Sequence, residues 1–344
     1  MARETHRRRG RALAVALFAI ALAGMLAIGF LGSQGLFTGP APPTEKLSIA
    51  LPRVPHAALL YVAVAKGYLA EEGLDLAITP VGYGRAALEL LTQGKVDLAA
   101  ATEVPFATSV LKGERLGIVA AVASVSSETA VVARRDRAIA APNDLLGKRI
   151  GVTFGTSGEF SFWSFLIRNR LAPGSVTLVD LQPGTMVQEL AKGTIDAIST
   201  WEPFKSNAHS ALGDNAVSFT DADAFTVDFL VIGRSELLKA RSGALEKLVR
   251  ALLKAERFNQ SEPQQALRLV AEQLKLDIKA LEPSWKDFEF KVDMSQSLLV
   301  TLEDEARWAM ARGYADKGPL PNFLPHLHLD TLLAVQPARV TVVR

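Results

Sequence analysis

The chain has 344 residues, a formal net charge of +2, 49% hydrophobic residues and no cysteine. The lack of cysteine excludes disulfides, thiolate metal sites and a lipid-modified cysteine anchor. Residues 1–44 contain five arginines and one glutamate, so they carry +4 and residues 45–344 carry −2, the difference between +2 and +4. A nearly neutral body of about 300 residues fits two α/β lobes and offers no basic face for nucleic acid.

The amino end combines a basic cluster with a long apolar run. Arginines crowd residues 7–11, and residues 12–32 carry no charge, which is enough length to span a bilayer as a helix. We therefore predict a cytoplasmic basic tail at 1–11, a signal peptide or membrane anchor at 12–34, and a Pro-containing linker at 35–45. The small-x-small cleavage sites lie inside the apolar run, which favours an uncleaved anchor. The body is then periplasmic or on the outer face of the cytoplasmic membrane.

After the linker, apolar runs and Gly or Pro breaks alternate as strand, helix, strand, helix, strand. The predicted elements are a strand at 47–51, a helix at 57–66, a strand at 74–81, a helix at 84–91 and a strand at 96–101. This order predicts a parallel sheet with crossover helices.

The same order returns about 100 residues later. The predicted elements are a strand at 149–154, a helix at 158–170, a strand at 176–181, a helix at 186–192 and a strand at 195–200. Gly94 and Asp97 align with Gly193 and Asp196, and each unit then has a Glu-Pro-Phe-type loop. Two similar α/β units facing each other predict a ligand cleft between their strand ends.

The junction after the strand at 149–154 is the strongest candidate for a binding element. Thr156 and Glu159 form a T-x-x-E capping box in front of an apolar helix face. The first N–H groups of that helix would point to the carboxyl edge of the sheet, where ligands bind in open α/β sheets. The alternative is that Thr156 and Ser157 only cap a helix.

Several motifs together resemble periplasmic solute-binding proteins of ABC importers, of the sulfonate, nitrate, taurine and thiamine-precursor type. The resemblance is carried by Tyr61-Val62-Ala63, Lys66-Gly67-Tyr68-Leu69, Glu71-Glu72-Gly73-Leu74, Gly94-Lys95-Val96-Asp97, Gly147-Lys148-Arg149-Ile150-Gly151-Val152, Gly155-Thr156-Ser157, Ile195-Asp196-Ala197 and Trp201-Glu202-Pro203. It covers about residues 46–235 well and the carboxyl third loosely.

The resemblance implies a type II periplasmic-binding-protein fold, in which two α/β lobes close on a ligand like a hinged clamp. Lobe one would comprise residues 46–136 and 231–344, and lobe two residues 137–230. The chain would cross between the lobes near Ala133–Ala138 and again near Phe229–Gly233.

The loops at the predicted strand ends provide the candidate ligand-binding residues. They are Pro55, His56, Gly82, Thr102, Glu103, Gly155, Thr156, Ser157, Trp201 and Glu202. The helix start at 155–157 favours an anion such as a sulfonate. Glu103, Glu159 and Glu202 could instead meet the amino groups of a pyrimidine, while the basic candidates are few: Arg53, His56, Arg85 and Lys205. Both ligand classes stay open at this point.

Enzyme motifs are not matched. The run 155–159 is not G-x-S-x-G because it ends in Glu159, and His326, His328 and Asp330 lie in a Pro-rich loop without further clear metal ligands. The related fungal pyrimidine synthases depend on a cysteine-rich motif, which this chain lacks. We therefore predict a monomeric, non-enzymatic binding protein without cofactor or metal. The resemblance implies that it delivers a small organic solute to an ABC permease and its ATPase. The alternative is a membrane-tethered sensor or assembly factor.

Overall fold

The computed structural model describes residues 44–126, 129–220 and 226–343. The predicted basic tail, the predicted membrane segment and the linker up to residue 43 lie outside these residues. Within the described ranges, every helix is too short or too polar to cross a membrane.

Eleven strands can be traced in the described ranges, and they form two separate sheets. The strands are β1 (Glu45–Pro52), β2 (Leu74–Val81), β3 (Leu98–Thr102), β4 (Leu116–Val125), β5 (Ala130–Arg134), β6 (Arg149–Val152), β7 (Thr177–Asp180), β8 (Ala197–Thr200), β9 (Ala216–Thr220), β10 (Val227–Arg234) and β11 (Phe288–Glu289).

Helices fill the crossovers and the carboxyl third of the described chain. They are α1 (Ala58–Ala65), α2 (Tyr68–Glu71), α3 (Gly84–Thr92), α4 (Glu103–Leu111), α5 (Ser157–Arg168), α6 (Pro183–Lys192), α7 (Phe204–Leu212), α8 (Ser235–Ala240), α9 (Ser242–Ser261), α10 (Pro263–Leu274), α11 (Ile278–Trp285), α12 (Gln296–Arg312) and α13 (Leu329–Val335).

Each sheet contains the predicted parallel unit. The first has the order β11-β4-β10-β3-β1-β2, with β1 parallel to β2 and β3 and with β10 antiparallel to β3 and β4. The second has the order β7-β6-β8-β5-β9, with β6 parallel to β7 and β8. The carboxyl ends of the parallel strands therefore gather at one edge of each sheet.

The repeated Gly and Asp residues have the same structural task in both units. Gly94 and Gly193 end α3 and α6 with positive φ angles of 70° and 77°. One carboxylate oxygen of Asp97 accepts the N–H of Ser48 at 2.8 Å, and one of Asp196 accepts the N–H of Arg149 at 2.8 Å. In each unit the aspartate thus ties the third strand to the first, which explains the spacing that the sequence repeats.

The chain crosses between the sheets earlier than the sequence predicts at both places. β5 pairs with β8 and β9, so the first crossing lies between Val125 and Ala130 rather than at 133–138. β10 pairs with β3 and β4, so the second lies between Thr220 and Val227 rather than at 229–233. Both predicted positions are therefore corrected. Their apolar runs indicate a strand, but they do not indicate which of two sheets accepts it.

Each sheet is packed into its own hydrophobic core. The first core continues from β1, β3, β4 and β10 into the carboxyl-terminal helices, including Leu248 of α9, Val270 of α10 and Leu302 of α12. The second sheet packs on α5 through Phe162 and Leu166, and on α6 through Met186 and Leu190. We refer to the two assemblies as lobe one and lobe two.

Candidate ligand-binding cavity

A cavity that is open to solvent lies where the carboxyl ends of the parallel strands of both lobes meet, and its space, counted with the open solvent at its mouth, is about 450 Å³. Lobe one contributes the loop after β1 and the end of β3, and lobe two contributes the start of α5 and the loop after β8. This is the place that the open α/β sheet rule assigns to ligands. Five of the ten sequence-predicted residues line it: His56, Thr102, Thr156, Ser157 and Trp201.

The hydroxyl groups in the cavity are ordered by hydrogen bonds between and within the lobes. Ser157 Oγ donates to Thr102 Oγ1 at 2.9 Å across the two lobes. Thr156 Oγ1 donates to the carbonyl oxygen of Thr153 at 2.6 Å. Because each hydroxyl has one proton and two lone pairs, Thr102 accepts from Ser157 and keeps its own proton for a ligand acceptor.

The start of α5 lies close to the cavity because two glycines permit it. Gly155 has a φ angle of +67°, a backbone conformation that residues with a Cβ atom rarely adopt. A Cβ on Gly158 would come within 2.6 Å of the Trp201 indole, so this helix start can approach that ring only with glycine at 158. The first N–H groups of α5, which have no partner within the helix, therefore lie at the cavity wall.

The predicted capping box is not formed in the predicted way. The side chain of Thr156 makes no cap hydrogen bond to the helix, and Glu159 accepts the N–H of Gly155 at 2.8 Å instead of the N–H of Thr156. Glu159 is fully buried and forms an ion pair with Arg312 at 2.8 Å. Its carboxylate is thus directed away from the ligand cavity, whose lining it does not join.

The two other predicted acids also lie outside the cavity lining. Glu103 is buried and accepts the backbone N–H of Asp228. Glu202 is buried, forms an ion pair with Lys205 at 3.2 Å, and accepts the N–H of Ser206. Among the described residues, those that line the cavity therefore include no carboxylate.

Three further predicted residues are near the cavity but do not line it. Pro55 is buried in the short turn that places His56, and Gly82 lies in the loop after β2. Gly155 borders a second opening, which is also lined by Arg85 and Tyr314. The positions of the loops in the sequence indicate the region around the cavity. They do not distinguish residues that line the cavity from residues that lie behind its wall.

Arg85 is the most important wall residue that the predicted set omits. It lies in the first turn of α3 and lines both the ligand cavity and the second opening. Its Nη2 donates to the Tyr83 hydroxyl at 3.3 Å, and its Nε lies 3.7 Å from Glu89. Burial lowers the pKa of Arg85, but the Tyr83 hydrogen bond and the nearby Tyr83, Glu89 and Asp180 raise it on balance. The guanidinium therefore supplies a positive charge at all physiological pH values.

The other omitted wall residues are mostly apolar or small: Val54, Gly84, Pro105, Thr129, Gly158, Val227 and Phe229. Val227 and Phe229 come from β10, and no sequence signal placed this strand at the cavity. Phe229 packs against the His56 ring at 5.3 Å between centroids. With Trp201 on the opposite lobe, these side chains give the cavity an apolar wall beside its hydroxyl groups.

The histidine set in the Pro-rich loop does not gather metal ligands. His326 Nδ1 lies 2.8 Å from the carbonyl oxygen of Leu116, and His328 follows it in the chain. In the described ranges, groups of three or more His, Cys, Asp or Glu side chains that could hold a metal ion are absent.

A profile of the family described as "NMT1/THI5 like" matches residues 54–266. The chain belongs to this family. The match includes every wall residue named above, and it covers the second strand-helix-strand unit and the part of the first unit that follows β1. It confirms the family that the sequence motifs indicated.

Part of the chain is similar in sequence to curated binding proteins at low identity. The taurine-binding periplasmic protein of Escherichia coli is 26% identical over 140 residues, which are 41% of this chain and 42% of that protein. The chain thus spans less than half the length of the curated relatives that it matches.

Solved structures extend the likeness to most of the chain. The alkanesulfonate-binding protein SsuA of Xanthomonas axonopodis pv. citri, bound to MOPS, has a TM-score of 0.73 and 19% identity, over 83% of this chain and 99% of that chain. The nitrate-binding protein NrtA of Synechocystis PCC 6803 has a TM-score of 0.67 and 14% identity, over 87% and 90%. The fold is the α/β periplasmic-binding-protein fold with two sheets.

Proposed function

We propose that this protein is the solute-binding component of an ABC importer and that it captures a small organic anion of the sulfonate type between its lobes. The protein acts outside the cytoplasmic membrane and delivers the solute to a permease. It binds the solute and does not convert it.

The observation that carries the proposal is the sign of the charge around the cavity. Arg85 contributes a cation, α5 contributes the positive end of its dipole, and Thr102, Thr129, Thr156 and Ser157 contribute hydroxyls. The acids that would attract an aminopyrimidine, Glu103 and Glu202, are engaged elsewhere. A sulfonate or carboxylate group suits this wall because its oxygens accept several hydrogen bonds at once.

The apolar side of the cavity favours an organic anion over a bare inorganic one. Trp201 and Phe229 face the space from opposite lobes, and Val54 and Val227 extend the apolar surface. Ligand sites of this kind fix a polar head and bury an apolar remainder. The relatives named for taurine and alkanesulfonates are consistent with this class.

The ligand class is tested by calorimetric titration of the full chain with taurine, ethanesulfonate, nitrate, an aminopyrimidine and thiamine. We expect ethanesulfonate or taurine to bind, and at about 100 times the dissociation constant to add about 2.7 kcal/mol to the unfolding free energy. Binding of the aminopyrimidine or thiamine, with none of the anions, would contradict the proposal.

Arg85 provides the matched test of the site. We expect Arg85→Gln to weaken ethanesulfonate binding about 10–100-fold, because a charge-assisted hydrogen bond in a partly buried site is lost. Arg53→Gln is the control, since Arg53 is an exposed arginine in the loop beside the cavity but outside its lining. Equal losses in both variants would show a general charge effect and not a site at Arg85.

Import is tested separately from binding. We expect labelled ethanesulfonate to accumulate in cells only when this protein and an ABC permease are both present. Accumulation that is unaffected by deleting the protein would favour the sensor alternative.

A further inference from the structure

Helix α12 of lobe one reaches across and packs on helix α5 of lobe two. Phe160 and Trp308 meet edge to face with 5.4 Å between their centroids, and Trp308 also contacts Tyr314 at 5.7 Å. The guanidinium of Arg312 lies over the Trp163 ring, 5.1 Å from its centroid. This aromatic contact lies beside the ligand cavity, yet its side chains belong to neither the cavity lining nor the charge argument above.

Glu159 is at the centre of this contact, and lobe one supplies most of its partners. Arg312 donates to Oε1 from Nε at 3.2 Å and from Nη2 at 2.8 Å, and the Tyr314 hydroxyl donates to Oε2. Glu159 is 0% exposed, whereas Arg312 remains 25% exposed. A carboxylate that is removed from water needs such partners, because an uncompensated buried charge is very costly.

The lobes cannot separate while these bonds persist. Arg312 and Tyr314 are fixed to α12, whose Leu298, Leu302 and Ala306 are part of the lobe-one core. Glu159 is on α5, whose Phe162 and Leu166 are part of the lobe-two core. Opening must therefore break all the bonds from lobe one and expose the Glu159 carboxylate to water.

The same carboxylate also shapes the ligand-binding turn. Its Oε2 accepts the N–H of Gly155 at 2.8 Å, and Gly155 has the left-handed conformation that precedes α5. The next three residues, Thr156, Ser157 and Gly158, line the ligand cavity. One side chain thus connects the turn that faces the ligand with the helix of the other lobe.

We propose that Glu159, Arg312 and Tyr314 form an interlobe latch that holds the lobes together without ligand and positions the Gly155–Gly158 turn. Glu159 is a positioning residue that acts through this turn. The latch does not depend on the ligand class, so it can be tested on the protein alone.

Spin labels at one cysteine in each lobe measure the opening directly. The natural chain has no cysteine, so Gln93→Cys in lobe one and Gln188→Cys in lobe two give a unique labelled pair. Both positions are exposed and outside the cavity lining: Gln93 lies just past the end of α3, and Gln188 lies in the second half of α6. The distance between the labels therefore increases as the lobes hinge apart.

The latch variants are Arg312→Met and Glu159→Gln. In the ligand-free, unsubstituted full chain we expect a short-distance population of labels, which corresponds to closed lobes. In each variant we expect the ratio of the short-distance to the long-distance population to fall at least tenfold. Arg307→Met is the control, because Arg307 lies on the same helix but pairs with Glu303 and Asp304 within that helix. The control should keep the distance distribution of the unsubstituted protein.

Hydrogen exchange of the Gly155 amide, followed by residue-resolved NMR, gives a second readout. We expect the Gly155 amide to exchange at least tenfold faster in Arg312→Met and to be unchanged in Arg307→Met. A merely structural role for Arg312 would lower the melting temperature without changing either the label distance or this local exchange. The latch is refuted by that result, and equally by a ligand-free protein that has no short-distance population before substitution.

Discussion

Two buried glutamates, Glu159 and Glu305, have the same exposure and opposite surroundings. Both are 0% exposed. Glu159 meets Arg312, Tyr314 and the Gly155 N–H. Within the described chain, neither carboxylate oxygen of Glu305 has a hydrogen-bond partner. Burial alone therefore does not show whether a carboxyl group stabilises a fold. The hydrogen-bond donors and cations around the carboxyl group determine this.

The surroundings of Glu305 favour its neutral form. Burial raises the pKa of Glu305 well above its ordinary value, and the nearby Glu103, Asp228 and Asp304 raise it further. Asp228, on the adjacent β10, has its pKa raised to about 7 by burial and then by Asp293 and Glu289, against the opposing Lys291. This side of lobe one thus holds two acids whose pKa values are raised, Asp228 and Glu305, whereas Glu159 is paired with a cation.

The largest expected effect is that of removing the unpartnered acid. We expect Glu305→Met to raise the unfolding free energy at pH 8 by up to about 4 kcal/mol, because at that pH the carboxyl group is ionised in the unfolded chain and must take up a proton to be buried, whereas methionine is apolar and of similar volume. A raised folded-state pKa means that wild-type stability is retained at low pH and lost as pH rises, so the gain should shrink towards pH 4.

Urea unfolding at pH 4, 6 and 8 measures this difference. Glu272→Met is the matched control, since Glu272 is an exposed glutamate on α10 and receives the same substitution. A destabilised Glu305→Met protein at pH 8 would mean that Glu305 has a stabilising role and that the contrast with Glu159 is wrong.

A smaller effect is expected at Asp228. Its folded-state pKa of about 7 lies above the ordinary 3.8, so wild-type stability falls as pH rises through that window. We expect Asp228→Asn to reduce the loss of unfolding free energy between pH 4 and pH 8 by about 2 kcal/mol. This is half of the free energy that corresponds to the full pKa shift, because the side chain is partly open to the pocket beside β11 and solvent screens its charge. Unfolding curves with the same slope between pH 4 and pH 8 in both proteins would contradict it.

The smallest effect is expected at the paired glutamate. We expect Tyr314→Phe to lower the unfolding free energy by about 1 kcal/mol, because Glu159 loses one charge-assisted hydrogen bond but keeps Arg312. Burial and then the Glu159 hydrogen bond raise the pKa of Tyr314 above its ordinary range, so the loss should be constant from pH 6 to pH 9. Thermal melts across that range, with Tyr68→Phe as the control, test it; a loss that changes with pH would show that another group is involved.

The sequence contained enough to predict both parallel units and the loops that meet at the cavity. The Gly and Asp residues recur in both units because a helix end and a hydrogen bond between neighbouring strands each require a particular residue type at a fixed position: Gly94 and Asp97 in the first unit, Gly193 and Asp196 in the second. The start of α5 was predicted within one residue. The family motifs then supplied the two-lobe arrangement.

Pairing across the fold could not be read in the same way. The sequence pattern around Thr156 predicts that Glu159 caps its own helix, whereas its main partners, Arg312 and Tyr314, lie 153 and 155 residues further along the chain. Val227 and Phe229 were missed because an apolar strand gives no sign of which cavity it borders. Arg85 was noted only as a nearby cation, since nothing local shows that its helix faces the other lobe.

The alternation of β10 has a consequence for how such a protein can change. Val227 and Phe229 border the ligand cavity, whereas Asp228 borders a different pocket, which is also lined by Glu289 and Asp293. Because successive side chains of a strand point to opposite faces, substitutions at 227 and 229 can reshape the solute wall without adding or removing an acid. Substitutions at 227 and 229 can therefore adapt this strand to a new solute, and substitutions at 228 can adapt it to a new pH range, without interfering with each other.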